Sequence, residues 1–160
     1  MTRKFVLVVL LAVALAVPSM AMAQAKPSFS GKWVQDMDKS DPAGGGGGGR
    51  GPAGPQTLTY TQTAADLTIE REGPNGVTKT IYKLDGSDSV NAGGRGGAVT
   101  SKTVWDGSKL VTKYTRTMGE ASVEVTETRT LEADGTLMVV TAMKGGPNGD
   151  TSRKVVFKKG

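Results

Sequence analysis

Residues 105–140 read WDGSKLVTKYTRTMGEASVEVTETRTLEADGTLMVV, and the fold class turns on how this stretch is read. Apolar and β-branched residues alternate with polar ones at a period of two, the repeat of a strand with one face buried. Asp106-Gly107 and Asp134-Gly135 interrupt the alternation. Such pairs supply the positive φ angles that tight hairpins need. The same texture extends outward from Phe29 to Lys158, with further turn signals at Asn75-Gly76, Asp85-Gly86 and Asn148-Gly149. The pattern predicts strands over 29–36, 56–63, 66–72, 77–84, 99–105, 109–118, 121–132, 136–143 and 151–158. No helical period runs through this part of the chain. Strands joined by short turns pair with their neighbours, and a long meander removes its exposed edges by closing on itself. The expected fold is all-β, an antiparallel up-and-down β-barrel over 29–160. Two glycine-rich stretches, 41–55 and Gly93 to Gly97 around Arg95, read as loops. Neither ends in the Gly-Lys-Ser/Thr that a phosphate-cradling loop requires.

The N-terminus has a different character. Arg3 and Lys4 precede an apolar run from Phe5 to Val17, and Pro18 stands before Ala21-Met22-Ala23. This is the layout of a cleavable secretory signal peptide, a helix over 1–23, with cleavage before Gln24 or two residues later, after Ala25. The run is shorter than the roughly 20 apolar residues a membrane span needs, and no later segment replaces it. Residues 24–28 form a short segment ahead of the barrel. No cysteine follows the apolar run for lipidation, and twin arginines are lacking, so Sec-type export to the periplasm or beyond is expected.

Composition excludes several roles. With Arg3 and Lys4 removed from 20 basic residues and all 15 acidic residues kept, the charge falls from +5 to +3. The charges of both signs are scattered along the strands, so nucleic-acid binding is not expected. The chain has no cysteine, and its stability must come from a hydrophobic core without disulfides. It also has no histidine, and no pair of serine with lysine or of carboxylates is singled out by spacing, so neither catalysis nor a cofactor is expected. Asp36, Asp38 and Asp41 do not carry the glycine and bidentate glutamate of an EF-hand at the right spacing, and no metal site is expected.

The first strand reads Phe29-Ser30-Gly31-Lys32-Trp33-Val34 and leads into Asp38-Lys39-Ser40. It resembles the Gly-x-Trp opening of the calycin superfamily, the lipocalins and fatty-acid-binding proteins. Gly31 permits a sharp bend, and Trp33 supplies a large apolar plug for one barrel end. Trp105 to Leu110, Asp134 to Val140 and Thr151 to Lys159 are similar to hairpins and the last strand of fatty-acid-binding proteins. The resemblance to small secreted bacterial lipocalin-like proteins implies a lipocalin-like barrel whose partner is a small hydrophobic or amphipathic ligand such as a fatty acid. In the resembling family, arginines on late strands hold a fatty-acid carboxylate, and Arg129 and Arg153 fall near those positions. The chain departs from the family in having a glycine-rich loop in place of a two-helix lid. It also lacks the Arg-x-Tyr ending, since Phe157 lies four residues after Arg153.

Parity places Leu67, Ile69 and Arg71 on one face. It does the same for Leu110, Thr112, Tyr114, Arg116 and Met118, for Val123, Val125, Glu127, Arg129 and Leu131, and for Arg153, Val155 and Phe157. Arginines therefore recur on the apolar side, and Arg71, Tyr114, Arg116, Arg129 and Arg153 are the candidate ligand-binding residues. Two plainer arrangements compete with an internal anion site. The arginines can reach the rim, or a one-residue bulge can turn them outward. Glu127 can also serve as the internal partner of Arg129. The leading expectation is a monomeric binder of a small apolar or amphipathic molecule, and the rival is an envelope structural or protein-interaction barrel filled by its own side chains.

Overall fold

The computed structural model describes residues 26–42, 54–93, 97–147 and 149–160. The signal segment and most of the glycine-rich loop lie outside the described residues. Every regular element among the described residues is a strand: β1 (Gly31–Asp36), β2 (Thr57–Gln62), β3 (Asp66–Gly73), β4 (Gly76–Lys83), β5 (Asp88–Ala92), β6 (Ala98–Asp106), β7 (Lys109–Met118), β8 (Ala121–Leu131), β9 (Leu137–Lys144) and β10 (Thr151–Lys159). They form one antiparallel sheet in the order β4-β3-β2-β1-β10-β9-β8-β7-β6-β5, so the first and last strands pair and the sheet curls into an up-and-down barrel.

One strand was absent from the expected set. β5 is built from Asp88-Ser89-Val90-Asn91-Ala92, in which Asp, Ser and Asn favour turns over strands. Pairing with β6 along its whole length holds it extended in spite of that. A second correction concerns Asp85-Gly86, which does not close a backbone-paired hairpin. No ladder joins β4 to β5, and the Gly86 amide instead donates to the carbonyl of Thr103 on β6.

Side chains take over at this seam. The Ile81 amide donates to Asn91 Oδ1 at 2.9 Å, and Asn91 Nδ2 donates back to the Ile81 carbonyl at 2.8 Å. The carboxamide of Asn91 thus offers the donor and acceptor that a strand peptide would offer. Two residues away on each strand, the Lys83 amide donates to Ser89 Oγ at 2.8 Å. Polar residues that discouraged a strand prediction are the ones that complete the ring.

The interior is layered along the barrel axis. At the end bearing the β2–β3, β4–β5, β6–β7 and β8–β9 turns, Phe29, Trp33, Leu67, Leu110, Leu137 and Phe157 pack into a dry plug. Trp33 is fully buried and its indole Nε1 donates to the Phe29 carbonyl at 2.8 Å, so the large ring enters the core with its polar atom satisfied. Trp105, half-buried, stacks on Phe29 with centroids 5.8 Å apart. Gly31 has φ +137°, and a Cβ there would lie 2.7 Å from Lys159 Nζ. That ammonium sits 4.8 Å from the Trp33 ring centre and can swing away from a Cβ, so it is the backbone conformation that favours glycine here.

Replacing Asn91 by alanine leaves the Ile81 amide and carbonyl without their partners. The expected loss is about 1–2 kcal/mol of stability in urea titrations. Hydrogen exchange should quicken more at Ile81 than at Thr112, which lies in the fully laddered wall and follows the global stability alone.

Candidate functional site

Above the plug, the cross-strand ladders build a polar belt. Arg153 lies opposite Thr141, which lies opposite Glu127, then Thr112, then Thr103. One row nearer the plug, Arg129 stands opposite Leu110 on one side and Val139 on the other. No bulge reverses the parity of β8: Val123, Val125 and Arg129 are all buried.

Arg129 is 3% exposed, and its charge is matched within the barrel. Nη2 donates to Glu127 Oε2 at 2.6 Å and Nη1 to Thr112 Oγ1 at 3.1 Å, while Thr112 and Thr103 share a hydrogen bond of 2.9 Å. The other carboxylate oxygen of Glu127 accepts the Tyr114 hydroxyl at 3.0 Å. The guanidinium carbon of Arg129 lies 5.1 Å from the centre of the Tyr82 ring, within cation–π range. Burial works against the charge of Arg129, but Glu127, Tyr60 and Tyr82 outweigh it and hold the pKa above the ordinary arginine value. Burial pushes the Tyr114 hydroxyl pKa up, and Glu127 adds to the rise through its charge and the hydrogen bond. Burial likewise raises Tyr82, where Arg129 opposes the shift and Glu127 and Tyr60 reinforce it.

Beyond the belt is a cavity of about 1240 Å³, bordered by Gly93, Gly97, Gly119 and Pro147. It therefore lies at the end carrying the β5–β6, β7–β8 and β9–β10 turns. Its wall runs from β4 across the side-chain seam to β8. Tyr82, Asn91, Ser101, Tyr114, Arg116 and Met118 line it. Tyr82 and Tyr114 connect the two levels, each facing the cavity while engaging the Arg129–Glu127 pair below.

The residues expected to bind a ligand separate into different settings. Tyr114 and Arg116 line the cavity. Arg129 is sealed in the belt with Glu127, the internal pairing that the sequence had left as one alternative. Arg153 is half-buried in the belt row, and its Nε has no hydrogen-bond partner. Arg71 keeps the inward register, opposite Leu58 on β2 and Thr78 on β4, but is exposed, because β3 and β4 run on past the packed interior toward their hairpin. It is not brought together with the others. Tyr82 and Asn91 escaped the sequence reading. Tyr82 had a signal, since it precedes buried Leu84 by two residues, whereas Asn91 had none because its role depends on a strand far from the turn propensity of its segment.

With this geometry in place, solved structures supply a comparison. A zebrafish ileal bile acid-binding protein complexed with cholic acid matches with a TM-score of 0.61 and 17% identity, over 82% of this chain and 98% of that one. A REP1-NXSQ fatty acid transporter matches with a TM-score of 0.61 and 15% identity, over 82% of this chain and 95% of that one. The chain shares with them a calycin-like barrel fold. No protein-family model matches the sequence, and no curated protein matches it. The likeness therefore rests on the path of the backbone.

Two measurements check the belt. Arg129→Met leaves the Glu127 carboxylate without its cation, and unfolding in urea is expected to show a loss of about 3–5 kcal/mol. Adding Glu127→Leu should restore most of it, because the double variant buries neither charge. Tyr82 and Tyr114 ionise above the ordinary value of about 10 in the folded protein and return to it on unfolding. Their stabilising effect is therefore fully present below pH ~10 and is lost as pH rises through the folded values. Phenolate absorbance, assigned with Tyr82→Phe and Tyr114→Phe, should emerge late in the folded protein and near pH ~10 in denaturant.

Proposed function

We propose that the protein is exported and holds a small amphipathic molecule in the cavity at the open end of its barrel, without catalysing a reaction on it. The observation that carries this reading is the cavity of about 1240 Å³ above a plugged and ion-paired interior. Volumes of this order suit a small-molecule site. Its wall is about as polar as it is apolar, with Tyr82, Val99 and Met118 set beside Thr80, Asn91, Ser101 and Arg116, a mixture that suits a molecule with both a polar and an apolar part. The neighbours in fold support the same class, one being a bile acid-binding protein complexed with cholic acid and the other a fatty acid transporter. Export rests on the basic, apolar and small-residue parts of residues 1–23. Among the described residues no helix is long and apolar enough to cross a membrane.

The rival reading, a structural or protein-interaction barrel filled by its own side chains, is supported by the plug and belt but not by the unfilled end. Protein recovered after export should begin at Gln24 or Lys26 by N-terminal sequencing. Native mass spectrometry and lipid extraction of that protein should yield a bound small amphipathic species that can be exchanged by added amphiphiles. An empty protein that shows no saturable shift with amphiphiles would favour the filled-barrel reading instead.

A further inference from the structure

This inference rests on the cavity reading above and concerns which end of the ligand the cavity recognises. Among the described residues, the charged side chains on faces that point into the barrel between plug and mouth are Arg116, Glu127, Arg129 and Arg153, three cations against one carboxylate, with Arg71 sharing the parity but exposed beyond the packed interior. Glu127 is committed to Arg129 at 2.6 Å and also accepts from Tyr114. Among the described residues, no carboxylate pairs with Arg116 or Arg153.

Of these two, Arg116 lines the cavity. Its Nη2 donates to the thioether sulfur of Met143 at 2.8 Å; its buried Nε has no partner, as is also true of Arg129 and Arg153, so what sets Arg116 apart is its place on the cavity wall and its lack of an oxygen partner. A thioether is a weak acceptor, and a guanidinium left with such a partner retains most of its capacity for an anion. Apart from Glu120, the other polar groups on the cavity wall are uncharged, Thr80, Tyr82, Thr115 and Thr117 bringing only hydroxyls, and three more are already engaged. The Tyr114 hydroxyl proton goes to Glu127, the Asn91 amide is occupied at both ends by Ile81, and the Ser101 hydroxyl points to the Ser89 carbonyl. Glu120, at the β7–β8 turn, is exposed at the rim and would repel an anion placed outside the mouth.

We propose that the cavity selects an amphiphile with an anionic end and takes that end at Arg116, near the mouth, while Arg129 makes no contact with the ligand. The charged group replaces the Met143 sulfur as the acceptor for Nη2 and supplies a partner for Nε. A fork of two parallel N–H donors matches a carboxylate. The apolar part of the ligand then lies along Tyr82, Val99 and Met118 within the same cavity. The deep cation is excluded because a second anion beside the Arg129–Glu127 pair would meet the Glu127 carboxylate in a dry site, where like charges repel strongly. The Arg129–Glu127 pair is thus neutral by itself, and of the two unpaired cations only Arg116 lines the cavity, so recognition moves to its upper wall.

The test compares dodecanoate with dodecanol, two probes with the same chain and different charge, by calorimetric titration of the full mature protein and of Arg116→Met, Arg129→Met/Glu127→Leu and Arg153→Met. The wild-type protein should bind dodecanoate at least about tenfold more tightly than dodecanol, as a charge-assisted contact implies. Arg116→Met should erase that preference by weakening dodecanoate alone, with unchanged dodecanol binding showing that the cavity is intact. The Arg129→Met/Glu127→Leu and Arg153→Met variants should keep it. Equal binding of both probes by the wild-type protein, or a preference that survives Arg116→Met or disappears in Arg129→Met/Glu127→Leu, would overturn the assignment to Arg116 while leaving a ligand-binding cavity. Binding of neither probe would overturn this inference together with the cavity reading on which it rests.

Discussion

The ion pair between Arg129 and Glu127 divides this barrel in two. Both residues sit on β8, on one face because they are two apart, and the pair is held at 2.6 Å with the arginine side chain 4% and the carboxylate 18% exposed. Charges placed at that depth are tolerated when they are paired and hydrogen-bonded. Thr112 and Thr103 complete the arginine's side of the network, and Tyr114 completes the glutamate's. The result is a polar floor whose ion pair is matched from within the chain, with the Nε groups of Arg129 and Arg153 left without partners. Below it the barrel is packed with aromatic and aliphatic side chains; above it space remains. The floor also fixes the attitude of Tyr82 and Tyr114, since each ring meets the pair below and the cavity above.

Closure of the ring around that floor is uneven in a way that matters for the cavity. Most of the circumference is held by backbone ladders, including the one between β1 and β10 that joins the first strand to the last. The extension of that junction is also polar: Ser40 accepts the Val156 amide at 2.9 Å, and Asp41 accepts the Lys154 amide at 2.7 Å. At β4 and β5 the ladder is replaced by Asn91 and Ser89. Side-chain hydrogen bonds are fewer and more easily exchanged for water than a strand ladder, so this is the least constrained arc of the wall. It is also part of the cavity wall, through Thr80, Tyr82 and Asn91.

Local reading of the chain reached a large part of this. Alternation located β1 to β4 and β6 to β10, the Gly-x-Trp opening located the plug residue Trp33, and parity placed Arg116, Glu127 and Arg129 on the inner face. Where it stopped, the reasons are physical. β5 has the composition of a turn and is extended because β6 pairs with it, a long-range effect that propensity does not contain. Arg71 has the same parity as Ile69 and a different environment, because parity gives the face of a strand and not the height along the barrel. Met143, the partner of Arg116, is 27 residues away on another strand, and nothing in either neighbourhood announces the contact.

By itself, then, the sequence determined that the chain is a meander of antiparallel strands, where most of its tight turns fall, which residues share a face and that no histidine or cysteine chemistry is available to it. These follow from period, turn stereochemistry and composition, all of which are properties of short segments. Tertiary structure alone decided which inward arginine is neutralised and which is left with a weak partner. That outcome depends on the register of β8 against β7 and β9, and register sets Glu127 beside Thr112 and Thr141 and leaves Arg116 across from Val123. An arginine's role in a barrel is fixed by what stands opposite it, and the residue opposite is chosen by the fold.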